Sequence, residues 1–161
     1  MSDPVTFIDA CKAGRLDVLR RMLEKDPSLV DAQLDDQMPA ILHATCANRI
    51  DVVDLLISRG AAIEAKDAEF KATAIGFAAW HGYADIAALL VEAGADVDGM
   101  GEDPSPLALA LDGVDGKLMA EGSPGTREDH AAIVALLQSR NARVIGRIQG
   151  YPHQSGAKSL T

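Results

Sequence analysis

Residues 67–98 read DAEFKATAIGFAAWHGYADIAALLVEAGADVD. In 73–81 the apolar Ile75, Phe77, Ala78 and Ala79 crowd one helical side, and Gly82 follows as a C-terminal stop. In 84–92, Ile86, Leu89, Leu90 and Val91 fall at i, i+3, i+4 and i+5, and Gly94 ends that helix. Ala95-Asp96-Val97-Asp98 then forms a short extended leg entering a turn. Each helix is only about two or three turns long, too short to be stable alone in water. The unit must therefore stack against copies of itself.

Copies are present. Thirty-four residues before Gly94 stands Gly60, inside LLISRGAAIEAKD. Leu89-Leu90-Val91 corresponds to Leu55-Leu56-Ile57, Gly94-Ala95 to Gly60-Ala61, and Val97 to Ile63. Upstream, Ala78 corresponds to Ala44 and Gly82 to Asn48, the non-glycine residue that best tolerates a left-handed backbone. A period near 33 built of helix–turn–helix plus a turn is the spacing of the ankyrin repeat. GADVD at 94–98 resembles that family's GADVN, and SPLALAL at 105–111 resembles its TPLHLAA. The chain thus resembles an ankyrin-repeat protein over roughly residues 4 to 145. The resemblance implies an all-α solenoid of stacked helix–turn–helix pairs with short β-turn fingers, used chiefly as a binding scaffold.

Composition agrees with such an array. The 161 residues suffice for one domain with one continuous core. Hydrophobic residues make up 48% and aromatics only 4%, so the core is built from Ala, Leu, Val and Ile, which suits closely stacked short helices. A net charge of −9 argues against nucleic acid and against anionic membrane surfaces, which both call for clustered Lys and Arg. No stretch reaches the roughly 18 consecutive apolar residues of a membrane span. The start, MSDPVTFIDACKAG, lacks the basic-then-apolar pattern of a signal peptide. Cys11 and Cys46 show no framework spacing, so a reduced, cytoplasmic setting is expected.

The expected organisation is one domain over 1–145, with repeats at about 4–34, 35–67, 68–101 and 102–145 and a tail at 146–161. Ser2, or Asp3 before Pro4, can start the first helix. The charges Arg15, Asp17, Arg20, Arg21, Glu24 and Lys25 suit an end repeat, which has one face in water. In the second repeat Pro39 and Leu42 stand at the family's Thr and His places; in the third, Ala74 and Gly76 stand at its Pro and His places. The fourth opens at 105–111 and closes at 131–144, with Asn141 in the Gly place. Between its helices lie about 15 extra residues, an insertion at about 112–128. Gly113, Gly116, Gly122, Pro124 and Gly125 make this insertion read as a mobile loop with few buried contacts. Its excision is expected to leave the array folded. Lys117 to Ala120 can add a helical turn, and Thr126 or Ser123 can cap the second helix. Ile145 and Ile148 are candidates for packing on that last helix.

Chemistry-bearing candidates are few. His43 and Cys46 sit three apart on one helix, but there is no CxxC, no HExxH and no second ligand cluster, so packing is the expected role of both. Carboxylates recur at the fingertip turns, Asp35 and Asp36, Asp67 and Glu69, Glu102 and Asp103, where stacking would align them into one negative row. No catalytic, cofactor-binding or metal-binding residue is expected. The resemblance places Phe70, before the first helix of repeat three, and Trp80-His81, at its end, on the concave groove that varies with the partner. The groove set is Phe70, Lys71, Trp80, His81, Cys46, Asp36, Met38, Glu69 and Asp103.

The implied function is a protein–protein interaction module, monomeric and non-catalytic, binding a protein or peptide with a basic segment and an apolar anchor. The alternatives are a small-molecule enzyme or receptor with a site under the insertion, using His81, His130 or His43, and a structural protein that self-associates.

Overall fold

Helices form where the apolar stripes fall, and each is bounded by the punctuation that the sequence carries. The computed structural model describes residues 3–35, 37–99 and 104–145. Asp3 opens α1 (Pro4–Ala13), its carboxylate accepting from the N–H groups of Val5 and Thr6. The turn at Gly14 (φ 72°) leads to α2 (Leu16–Lys25). The second pair is α3 (Ala40–Cys46) and α4 (Ile50–Ser58), joined through Asn48 at φ 54°. The third is α5 (Ala74–His81) and α6 (Ala84–Glu92), joined through Gly82 at φ 75°. The fourth is α7 (Pro106–Val114) and α9 (Arg127–Ser139), with the four-residue α8 (Lys117–Ala120) between them. Asn48 and Asn141 (φ 58°) both take the left-handed backbone expected where they replace glycine.

The four pairs stack in order. First helices α1, α3, α5 and α7 pack side by side in one layer; α2, α4, α6 and α9 form a second layer behind them. The fold is the all-α solenoid expected, and among the described residues the one β pairing is an isolated antiparallel bridge between Gln33 and Pro39. Between the layers lie Phe7, Leu19, Leu56, Ile75, Leu90, Leu107 and Ile133, all essentially without solvent contact. DPSLVDA at 26–32, in the place that GADVD takes in the third repeat, forms a short 3-10 helix, Pro27–Asp31. Asp26 caps it through the Ser28 N–H, and proline pre-sets its first turn.

Acidic side chains tie each repeat to the next. The Asp31 carboxylate accepts from Ala62 N–H, Glu64 from Asp96 N–H, and Asp98 from Arg143 N–H, at 2.8, 2.8 and 2.7 Å. The Arg143 guanidinium also pairs with Asp98 at 2.9 Å. The Arg143 N–H foremost holds the Asp98 carboxyl below its ordinary pKa. The donor lies 32 residues beyond its acceptor in the second rung and 45 in the third, so repeat four carries 13 extra residues.

Those residues do not form the loose loop read from the sequence. Asp112 and Gly113 belong to α7 and are buried, so the departure from the repeat begins after Val114. Leu118 is completely enclosed, and Ser123 and Gly125 are buried as well. Glycine here serves close approach rather than mobility. A Cβ on Gly125 would lie 2.6 Å from the His81 carbonyl oxygen, and one on Gly113 would collide with the His130 ring. Thr126 caps α9 in a capping box with Asp129. At the far end, Ile145 pairs through its backbone with Ser105, and its side chain is partly exposed. Ile148 and the tail 146–161 lie outside the described residues.

Candidate functional site

The turn before α5 is built around Asp67. Its carboxylate is buried and accepts from three backbone N–H groups, those of Glu69 (3.0 Å), Phe70 (2.8 Å) and Ala72 (2.8 Å). The Asp67 N–H donates to the Ala72 carbonyl across the base of the same turn. Asp67 is therefore an internal anchor and not a member of a solvated acidic row. Closing the turn forces Lys71 to φ 54°, a left-handed conformation that costs an L-residue roughly 1–2 kcal/mol. Gln37, at the equivalent place one repeat earlier, takes φ 52°. The outcome is that Phe70 stands 63% exposed on a turn whose backbone is fixed. Glu69, Lys71 and Asp35 are exposed beside it or on the preceding finger; Met38 is half-buried. Asp36, Glu102 and Asp103 lie outside the described residues.

Trp80 and His81 sit at the other end of α5, whose eight residues rise about 12 Å. Trp80 is half-buried against the core rather than openly displayed, and its ring meets His81 edge-on at 4.8 Å. His81 in turn stacks on Tyr83 at 5.0 Å and on Phe77 at 6.4 Å. Burial holds the His81 imidazole below its ordinary pKa, so the aromatic cluster carries no positive charge at neutral pH. Phe70 and Trp80 thus make two separate apolar points at opposite ends of one helix, not one joined patch.

The places equivalent to Trp80 along the array are Lys12, Cys46 and Asp112. Lys12 is exposed, Cys46 and Trp80 are half-buried, and Asp112 is enclosed with Lys117 Nζ at 2.6 Å. The row is open over the first three repeats and closed at the fourth by the residues leading into α8. Only the structure reveals this closure, because glycine content alone does not distinguish a mobile loop from a tightly packed one.

Nucleophilic and metal chemistry find little support. Burial, with the Asp67 charge second, raises the Cys46 thiol to about 11, and burial raises Cys11 to about 12. Neither is a thiolate at neutral pH, so the spacing of His43 and Cys46 does not make an activated nucleophile. His43 is buried within α3. Among the described residues no group of three or more His, Cys, Asp and Glu is placed to hold a metal ion. The insertion does border a cleft of about 330 Å³, walled by Tyr83, Asp85, Pro124, Gly125 and Asp129. No histidine lines it, so the convergent His and acid groups that a small-molecule site would need are not assembled there.

A family model described as ankyrin repeats, in three copies, matches residues 7–100, from within α1 past the end of α6. No curated protein matches the chain. The fourth helix pair, with α8 and residues 121–126 after it, lies beyond the matched residues. Among the described residues no helix is long and apolar enough to cross a membrane.

Proposed function

The chain belongs to the ankyrin-repeat family, and from that premise we propose that it is a cytoplasmic interaction module. It binds a protein or peptide segment across the finger turns and the first helices of repeats one to three. Repeats of this family generally mediate protein–protein interaction. The observation that carries the reading is Phe70, a large aromatic held out on a strained, hydrogen-bonded turn. Gln37 takes the same backbone one repeat earlier, so the left-handed residue belongs to the finger turn; what sets this turn apart is the exposed aromatic that it presents. A preset aromatic anchor loses little side-chain entropy on binding, and this is the character of interface hot spots.

The partner is a segment with basic residues around an apolar anchor. The chain is at −9, and the exposed Asp35 and Glu69 flank the fingers. Opposite charge steers encounter and is screened over about 10 Å at ordinary salt, whereas the apolar contact is not. No catalytic step enters this reading, and the module acts as a monomer.

The test is selection from a random peptide display library on the immobilised full chain. Enriched sequences should carry Lys or Arg near an aromatic or large aliphatic residue. Phe70→Ala should weaken their binding by about 2 kcal/mol, roughly thirtyfold, without shifting the thermal midpoint. Enrichment of acidic peptides, or unchanged affinity in Phe70→Ala, rejects the proposal. Phe70 is the better probe than Trp80, because Trp80 also packs on the core.

A further inference from the structure

The strap that follows α8, residues 121–126, lies against the α5–α6 turn, and a single histidine sits beneath it. His130, on the first turn of α9, is fully enclosed. Its Nε2 is 3.3 Å from Ser123 Oγ, the Ala79 carbonyl also faces the ring, and among the described residues its buried Nδ1 has no hydrogen-bond partner. Gly113 of α7 leaves the space the ring occupies, and a Cβ on Gly82 would lie 3.0 Å from Nε2. The strap meets the turn closely at glycine: a Cβ on Gly82 would fall 2.7 Å from Gly125 Cα. We propose that His130 is a proton-operated clasp, holding the strap closed while its imidazole is neutral and releasing it on acidification.

The electrostatics give the direction. Burial disfavours the imidazolium and lowers the His130 pKa; the Ala79 carbonyl and the Asp129 carboxylate oppose this without cancelling it. The other charged or titratable groups on the surrounding elements are otherwise engaged or remote in effect. Asp112 of α7 is paired with Lys117, the Arg127 guanidinium lies over Gly116, Asp85 borders the open cleft, and His81 is itself kept neutral by burial. In the closed form the ring therefore takes a proton at lower pH than a free histidine, whose value is about 6.5. As pH falls below that value the open form binds the proton first, so closure weakens with acid and is complete above neutrality. The weakening approaches tenfold per pH unit until the depressed value is reached. Release would uncover the α5–α6 turn and the cleft beside it.

Amide hydrogen exchange of the full chain between pH 7.5 and 5, corrected for intrinsic exchange, tests this. The Glu121, Gly122 and Ser123 amides report on the strap, since they bond to the carbonyls of Leu118 and Met119. Their protection should fall about tenfold between pH 7 and pH 5, while amides of α3 and α6 hold theirs. His130→Gln should flatten this profile, and His81→Gln should keep it. Should His130→Gln fail to fold, the His130 ring resonance in the unmodified chain must titrate at the midpoint of the strap's loss of protection. A pH-independent strap, a loss shared with α3, or a profile that follows His81 overturns the proposal.

Discussion

Leu118→Ala should destabilise the fourth repeat by about 2–5 kcal/mol, the range for truncating an enclosed leucine. Leu118 sits on a helix of only four residues, yet none of its surface reaches solvent. An array whose repeats touch only neighbours loses stability locally before it loses it globally. Amide protection in α7 and α9 should therefore fall first, with α1 to α4 little affected, and the denaturant midpoint should drop. Unchanged protection in α7 and α9 would show that the segment between them is dispensable, as the glycine-rich composition suggests. For the same reason, excision of the inserted residues is now expected to unsettle α7 and α9, since it removes both Leu118 and the contacts over Gly82.

Asp67→Ala should cost about 2–3 kcal/mol and also loosen the Phe70 turn. Three N–H groups lose their acceptor, and that of Ala72 is buried where water cannot replace it. The backbone bond from residue 67 to the Ala72 carbonyl remains, but the three bonds that hold the interior of the turn against the left-handed backbone at Lys71 are lost. Affinity for selected peptides should then fall although Phe70 is still present, because the anchor must be ordered on binding. Calorimetric unfolding and peptide titration on the same variant separate the two effects. A variant as stable as the parent, with full affinity, would mean that the turn is set by its neighbours and not by Asp67.

The array itself was legible because its signals are periodic. Apolar stripes on helices too short to stand alone, left-handed residues at equal intervals and the Asn48 substitution all require stacking. The parts that were not legible depend on one side chain meeting another far along the chain. Glycine at 113 and 125 has the same letter as glycine in a free loop, and only the positions of His130 and the His81 carbonyl give it a packing purpose. Asp67 likewise looks like any turn acid until its three donors are seen. The rungs at Asp31, Glu64 and Asp98 recur at the spacing of the repeat. They had a readable signal, an acid at one finger and its successor's N–H, but acids are too common in turns for spacing alone to select them. For the proposed binding face, repeat position picked out Phe70 as an exposed residue, whereas the edge-on contact of Trp80 with His81 was visible only in three dimensions.

The most direct test of the binding face is to map a selected basic peptide onto the full chain by amide chemical-shift changes. The account predicts the largest changes at 67–72, with smaller ones at Cys46 and along the last turn of α5, and few on the outer faces of α2, α4 and α6. Changes confined to those outer faces, or to the cleft beside the strap, would contradict it.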